Sequence, residues 1–488
     1  MSRPSLVVHG HFYQPPRLDP FSGRMPREPS AAPAHDWNER ISADCYRPNA
    51  DIGNLGAISW DLGPTLAGWL EVGDPIAYRG FVAGDEGANG MAQPFHHAIL
   101  PLASIADRRT EIRWGLRDFA LRFGRPATGM WLPETAVDLV TLRLLADEGV
   151  THTILAPWQV AGGAWLDPRR PVRIDLGAGR SIVAVLYDAG LSTAVSFEPT
   201  ATIDADVFVR ERVMPRFEAG GAADGDGTTG DLLLIATDGE LYGHHQPFRE
   251  RFLARLVGRT APVDRPYDSP NLAAAIARAE IDGLPLVSID DRTSWSCHHG
   301  IDRWAGACAC VADGTWKGPL RTALDRMAAG IDTATEHLTA ALPGSPDPWL
   351  ARDAYVDVVA GAASEDGFAT HVLGPGRRPT DTRILIDLMA AQRWRLAMFA
   401  SCAWFWDVPD RLETAGALRA AVRAARLVDD LADTGLERRL LEDLALVRGS
   451  WGDGVDLVRA ALGAVGAAWP DTHETPMNPS ARGLRATG

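Results

Sequence analysis

The chain has 488 residues, 46% of them hydrophobic, enough for about three domains of ordinary size, or two if one is a large barrel. Its formal net charge of −15 argues against a protein that binds the phosphate backbone of nucleic acids. Five cysteines without a framework spacing predict a reducing, cytoplasmic location, and the sequence predicts neither a signal peptide nor a membrane span.

Apolar strands and amphipathic helices alternate through the first part of the chain. Strands are predicted at 6–8, 153–156, 181–186, 232–235 and 286–289, the last of these being the expected final barrel strand. Helices are predicted between strands, as at 107–123 and 137–148. This order is typical of a parallel α/β sheet or barrel.

Strand patterns disappear after about residue 315, where Ala- and Leu-rich helical stretches take over. We therefore predict a (β/α) barrel at 1–312, an all-α domain at 313–467 and a loose tail at 468–488. An acidic, glycine-rich insert at 219–230 is expected to be mobile.

Titratable residues crowd the expected carboxyl ends of the predicted strands. His9 and His11 end the first strand, Glu134 follows Pro133 just past another, and Asp238 lies three residues after the apolar run 232–235. Active sites of (β/α) barrels are built at this end of the strands. A polar loop that merely caps a strand is the alternative.

Two carboxylates in one barrel could cleave a glycosidic bond, one as nucleophile and the other as general acid and then base. Glu134 and Asp238 are the candidates, and the spacing of their carboxyl groups would decide between retention and inversion of configuration. Position in the sequence does not assign the two roles.

Four segments in this order resemble the signature regions of glycoside hydrolase family 57, and an aromatic segment resembles its fifth. They are HGHFYQP at 9–15, QPFHHAILPL at 93–102, GMWLPE at 129–134, DGELYGH at 238–244 and WFWD at 404–407. The likeness spans roughly residues 5–410. Two departures, Gln-Pro-Pro-Arg at 14–17 and His245 where many members carry Trp, indicate a less studied branch of the family.

The resemblance implies an incomplete (β/α)7 barrel followed by a helical domain. It implies hydrolysis, transfer or branching of α-glucans, with retention and without a metal or other cofactor. It also implies that Glu134 is the nucleophile and Asp238 the acid/base. The predicted substrate-binding residues are His9, His11, Gln14, His97, Trp131, Glu240, His244 and Trp404. Which glucan is used, and the oligomeric state, stay open.

Two other functions compete with this one. A metal-dependent enzyme resembling an α-mannosidase or a polysaccharide deacetylase could take ligands from histidines 9, 11, 97, 244, 298 and 299. Against it, His9 and His11 lack an Asp partner at the spacing those enzymes show. The second competing function is that of a non-catalytic carbohydrate-binding protein. The presence of both carboxylates, Glu134 and Asp238, argues against it.

Three cysteines lie close together in sequence at Cys297, Cys308 and Cys310, with His298 and His299 beside the first. A structural zinc site is one interpretation, but the spacing contains no CxxC pair. Buried free thiols are the interpretation that the spacing favours.

Overall fold

The computed structural model describes residues 3–220, 232–259, 265–279 and 281–466. The predicted insert at 219–230 lies largely outside these residues, and the predicted tail at 468–488 lies entirely outside them. The described chain forms two compact units that are discontinuous in sequence. Unit one takes its residues from Met1–Gln14, Glu28–Pro94 and Arg122–Ser296, and unit two from Pro15–Arg27, Phe95–Leu121 and Cys297–Gly488. The domain boundary at 312/313 stays a prediction.

The strands are short. They are β1 Ser5–Phe12, β2 Ser59–Leu62, β3 Gly90–Met91, β4 His152–Leu155, β5 Val172–Gly177, β6 Arg180–Leu186, β7 Leu232–Asp238, β8 Leu286–Val287, β9 Arg448–Gly449 and β10 Gly452–Asp453.

The α-helices lie mostly between strands in unit one and follow one another in unit two. They are α1 Trp37–Ile41, α2 Arg47–Ile52, α3 Pro64–Gly73, α4 Pro75–Gly84, α5 Ile105–Phe123, α6 Leu139–Asp147, α7 Ala189–Phe197, α8 Ala205–Phe208, α9 Met214–Gly220, α10 Arg249–Leu256, α11 Leu272–Ala277, α12 Asp302–Ala305, α13 Lys317–Ala340, α14 Pro348–Ala354, α15 Val356–Val359, α16 Glu365–Leu373, α17 Pro379–Ala397, α18 Leu412–Asp429, α19 Leu436–Leu444 and α20 Gly454–Gly463.

Seven parallel segments of the described residues form a barrel in unit one. The order β3-β2-β1-β7 is one parallel sheet, and β4 pairs in parallel with β6. Parallel bridges from Ala92 to Met130 and from Gly129 to His152 insert the segment 129–130 between β3 and β4. On the other side, the Asp188 amide donates to the carbonyl of Leu234 over 2.8 Å and joins the end of β6 to β7. The predicted barrel fold is therefore confirmed.

One predicted strand has a different place. The segment 286–289 was expected to be the final barrel strand, but β8 pairs with β5, which itself runs antiparallel to β6. Both strands thus extend the sheet outward from β6 instead of entering the ring. The pattern of apolar residues could not show this, because it reports burial and not the neighbour of a strand.

The alternation of side chains along β1 decides which of its residues reach the barrel interior. Leu6 and Val8 pack outward in the core beneath the surrounding helices. Val7 packs inward with residues of β4, β6 and β7. His9 and His11 share the parity of Val7, so both histidines point into the barrel near the carboxyl end of β1.

Unit two is helical and holds a buried ionic cluster. Arg352 on α14 and Arg395 on α17 both lie within ion-pair distance of Asp107, at 2.9 and 2.8 Å, and Arg395 also pairs with Asp332 at 2.6 Å. An apolar core around α14 to α17 includes Trp114 of α5. Among the described residues, no helix is apolar for long enough to cross a membrane.

Candidate active site

Asp61 ties the two histidines of β1 to the neighbouring strand. It lies beside His11 in the register of β1 and β2, and it has no exposed surface. His9 Nε2 donates to one carboxylate oxygen and His11 Nδ1 to the other, both over 2.8 Å. The side-chain amide of Gln93 donates to the second oxygen as well. Asp61 is thus the acidic partner of these histidines that the sequence pattern did not show.

The two histidines differ in charge because their surroundings differ. Burial lowers the pKa of His9, and the Asp61 carboxylate only partly opposes this. Burial also acts to lower the pKa of His11, but the charges of Asp61, Asp238 and Glu240 outweigh it and the pKa rises to about 9. At neutral pH, His11 is therefore a cation next to a neutral His9.

Trp131 lies flat against both rings. Its indole stacks on His9 with centroids 5.1 Å apart and on His11 with centroids 4.9 Å apart. Trp295 meets Trp131 edge-on at 4.9 Å. Trp131 has no exposed surface, so it fixes the histidines from inside the barrel wall.

Glu134 lies in a strained turn that follows the strand-like segment 129–130. Its backbone has φ 57° and ψ 21°, and Thr135 has φ 47°. Such left-handed residues cost about 1–3 kcal/mol each and concentrate at functional sites. The Thr135 hydroxyl donates to Gln159 Oε1 over 2.8 Å, and Gln159 Nε2 donates back to the Thr135 carbonyl over 2.7 Å. Gln159 therefore holds the turn that presents Glu134.

Hydrogen-bond donors converge on the carboxyl group of Glu134. Ser296 Oγ donates to Glu134 Oε2 over 2.7 Å, and Trp295 Nε1 approaches the same oxygen at 3.4 Å. Burial raises the pKa of Glu134, the Ser296 hydrogen bond lowers it, and the charge of Asp238 raises it further. The site thus contains a desolvated carboxyl group with donors arranged for its ionised form.

Asp238 ends β7 as its one exposed residue, directly beside His11 in the register of β1 and β7. Because side chains alternate along a strand, the Asp238 side chain is on the same face of β7 as Leu234 and Ala236, which point into the barrel. Its charge acts on both Glu134 and His11. Two carboxyl groups that are distant in sequence are therefore brought together at the carboxyl end of one barrel.

Glu240 follows Asp238 and is buried. Tyr46 Oη donates to Glu240 Oε1 over 2.6 Å, and Gln14 Nε2 donates to the same oxygen over 3.5 Å. Burial raises the pKa of Glu240 to about 7, with the charge of Asp238 adding to the rise and the Tyr46 hydrogen bond opposing it. Glu240 is therefore a third carboxyl group beside Glu134 and Asp238, and its pKa lies near neutral pH.

Comparison with known proteins identifies the barrel. Residues 84–261 match the family model described as Glycosyl hydrolase family 57. This part of the chain is similar to glycoside hydrolase family 57. The resemblance stated from the motifs is thereby confirmed. Residues 313–453 match a second model, a domain of unknown function numbered DUF3536, and no curated protein sequence matches the chain.

Solved structures share the family 57 fold at low sequence identity. An exo-type maltose-forming amylase from Pyrococcus sp. ST04 superposes with a TM-score of 0.70 at 16% identity, covering 94% of this chain and 88% of that one. A GH57-type branching enzyme from Pyrococcus horikoshii gives 0.61 at 14%, covering 98% of both chains. The α-amylase AmyC from Thermotoga maritima gives 0.56 at 13%, covering 96% and 97%. These likenesses confirm the predicted barrel with a helical region after it.

Other predicted residues of the family 57 motifs lie as follows. His244, six residues after Asp238, pairs with Asp44 at 3.0 Å and meets Trp37 edge-on at 6.0 Å. His97 and Trp404 belong to unit two, and both are buried. His97 Nδ1 lies 2.7 Å from Ser401 Oγ, which brings the second and fifth motifs together there. Substrate contacts for all these residues stay predictions.

Several site residues lay outside the predicted set. Asp61, Tyr46 and Gln159 support the family 57 site through hydrogen bonds, and Trp295 and Ser296 contact Glu134 directly. Trp295 and Ser296 follow the predicted strand 286–289 within ten residues, and this position is the signal that could have found them. Nothing local marks Asp61, whose partners lie 50 and 52 positions away.

The competing metal enzyme needs its histidines to converge as ligands. Among the described residues, the group of His, Cys, Asp and Glu side chains that could hold a metal ion is Cys297, His299, Cys308 and Cys310. His9 and His11 instead donate to Asp61, and His97 lies in the other unit. The arrangement of the barrel histidines therefore favours the pair of carboxyl groups as the reacting groups.

Proposed function

We propose that this chain is a retaining glycoside hydrolase or glucan-transferring enzyme that acts on α-glucans, with Glu134 as nucleophile and Asp238 as acid/base. The observation that carries the proposal is the convergence of these two carboxyl groups at the end of the barrel, where the charge of Asp238 acts on Glu134. The α-glucan class follows the named activities of the similar folds: maltose-forming amylase, branching enzyme and 4-α-glucanotransferase.

In the first step, a carboxylate oxygen of Glu134 bonds to the anomeric carbon while the glycosidic C–O bond breaks. Asp238 gives its proton to the leaving oxygen. In the second step, Asp238 takes a proton from water or from a hydroxyl group of an acceptor sugar. The oxygen of that water or hydroxyl group bonds to the anomeric carbon, and the bond from that carbon to Glu134 breaks. Two inversions at one carbon give net retention, and the acceptor decides between hydrolysis and transfer.

The surroundings of Glu134 suit a nucleophile although this residue is partly buried. Desolvation strengthens a nucleophile once it is ionised but opposes the ionisation. The Ser296 hydroxyl, the Trp295 indole and the positive charge of His11 all favour the ionised form. The more exposed Asp238 can exchange its proton with water between the two steps.

Among the remaining predicted residues of unit one, some keep a part of their surface exposed and others keep none. His9 and Trp131 have no exposed surface, so we assign them to positioning His11 and not to touching sugar. Gln14, Glu240 and His244 carry polar groups near Asp238 and suit sugar hydroxyl groups. We also keep the predicted cytoplasmic location, to which the five free cysteines are suited.

Chemical rescue separates the two carboxyl groups. Asp238→Ala should lose about 10²–10⁴-fold in kcat, as expected for loss of a general acid, and regain activity with azide as an α-glucosyl azide of retained configuration. Glu134→Ala with azide should give the inverted product instead. The exposed Glu86 provides the control Glu86→Gln, which should match the wild type.

The substrate is tested with amylose, maltoheptaose and glycogen, followed by separation of products by chain length. Products longer than the donor mean transfer, and only shorter products mean hydrolysis. If neither carboxyl variant changes turnover of any of these glucans, the proposed function is wrong.

A further inference from the structure

Four side chains in unit two converge although no sequence motif joins them. Cys297 Sγ lies 3.5 Å from both Cys308 Sγ and Cys310 Sγ. His299 Nδ1 lies 3.2 Å from Cys310 Sγ and 3.4 Å from Cys308 Sγ. All four ligand atoms fall within 4.8 Å of one another.

The four short separations are close to the edges of a tetrahedron around one ion. Zinc binds thiolate sulfur at about 2.3 Å and imidazole nitrogen at about 2.0–2.1 Å, so its ligand atoms lie roughly 3.5–3.8 Å apart. The observed distances fall within a few tenths of an ångström of that range. A disulfide would need sulfur atoms about 2.05 Å apart, and all five cysteines are free.

The segment between the ligands is mostly irregular. From Cys297 to Cys310 its α-helix is the single turn of α12, Asp302–Ala305. Loops of this kind have few backbone hydrogen bonds of their own and gain stability from a cross-link. Four potential ligands converge within this one segment, and each thiol lies close to at least one other ligand. Hydrophobic burial alone does not explain this convergence.

A buried cation lies near the same sulfur atoms. Lys317 begins α13, has no exposed surface, and its ammonium nitrogen has no hydrogen-bond partner among the described residues. Burial and the charge of Arg303 lower its pKa to about 8, whereas negative charge on Asp407, Cys308 and Cys297 raises it. The ammonium lies 5.7 Å from the centre of the Trp316 ring, and a further anionic group nearby would offset the cost of burying its charge.

We propose that Cys297, His299, Cys308 and Cys310 bind one Zn²⁺ ion in a closed structural site. The three thiols release three protons to solvent on binding, and neutral His299 donates its Nδ1 lone pair. Two positive and three negative charges leave the complex with a charge of −1, which the Lys317 ammonium neutralises. Because four protein ligands fill the tetrahedron, no position is left for water or substrate, and the site does not depend on the proposed glycosidase activity.

Metal content of the purified full-length protein is the direct test. We expect one zinc per chain by elemental mass spectrometry, and less than about a tenth of that in Cys308→Ser, Cys310→Ser and His299→Ala. The chain supplies matched controls: Cys402→Ser removes a cysteine outside the cluster, and His298→Ala removes the neighbouring exposed histidine. Both controls should keep the full zinc content.

A second set of measurements starts from the wild-type protein. Wild-type protein exchanged into Co²⁺ should show the intense visible bands of tetrahedral cobalt bound to thiolate, and His298→Ala should show the same spectrum. A strong chelator should release zinc together with three thiols that become reactive to a thiol reagent, and should lower the melting temperature. His299→Cys, which keeps four ligands, should retain zinc where His299→Ala does not.

The opposite results are equally clear. Wild-type protein that holds no zinc and shows three reactive thiols without chelator would overturn the proposal, and so would a disulfide among the three cysteines. Stoichiometric iron in place of zinc would overturn the choice of metal. Zinc that persists in all three ligand variants would place the ion elsewhere.

Discussion

The Ser296 hydroxyl donates a hydrogen bond of 2.7 Å to the carboxyl group of Glu134, 162 positions earlier in the chain. It stabilises the ionised form of a carboxyl group that burial makes harder to ionise. The segment that carries Ser296 and Trp295 thus controls the reactivity of the proposed nucleophile.

Ser296→Ala should therefore raise the pKa of Glu134 further. The nucleophile must be ionised in the free enzyme, so the acidic limb of the pH profile of kcat/KM should move to higher pH, with about 10-fold lower activity on its acidic side for each unit of displacement. Ser288→Ala, at an exposed position nearby in sequence, is the control. An unmoved acidic limb would show that Ser296 does not act on Glu134.

Asp61→Asn should remove the charge that keeps His11 protonated. The pKa of folded His11 is raised from 6.5 to about 9, so the stability it contributes is complete below pH 6.5 and disappears as the pH rises through 9. In Asp61→Asn, burial acts with less opposition and the pKa of His11 should fall, so this pH dependence should flatten. Unfolding by urea across this range measures it, with the exposed Asp51→Asn as control.

Glu240→Gln should change the pH dependence of stability in a different window. The pKa of folded Glu240 is about 7 against 4.5 for an unperturbed side chain, so wild-type protein loses stability as the pH rises between these values. Since one pKa unit corresponds to 1.36 kcal/mol, the loss is about 3 kcal/mol. The difference in unfolding free energy between the variant and the wild type should grow through this window. Glu86→Gln should show no such growth, and a constant difference for Glu240→Gln would contradict the assigned pKa.

Trp131→Ala should destabilise unit one strongly. Trp131 has no exposed surface and supports both barrel histidines, and truncation of a buried tryptophan costs about 3–5 kcal/mol. Trp165 is 92% exposed, so Trp165→Ala should stay within about 0.5 kcal/mol of the wild type. Chemical unfolding followed by circular dichroism compares the two. Equal effects would mean that Trp131 is not the support described.

Much of the barrel could be predicted from the sequence because its strands are buried on both faces. The runs 153–156, 181–186 and 232–235 were found close to β4, β6 and β7, since continuous apolar stretches identify such strands. The two-residue β3 and the strand β2, which carries Asp61, gave no such pattern. The same limit explains why the apolar pattern of 286–289 predicts a barrel strand that the structure places outside the barrel.

The sequence by itself singled out the residues that we propose for the reaction, because His11, Glu134 and Asp238 each lie at or just after the end of a strand, in a motif that can be recognised locally. Only the tertiary structure decided what surrounds them, such as Asp61 beside the histidines and Ser296 on Glu134. It also decided that His299, and not His298, joins the three cysteines. The physical reason is that hydrophobic periodicity reports whether a residue is buried, whereas a hydrogen bond or a metal site depends on which strands and loops become neighbours. That choice is made by the packing of the whole chain.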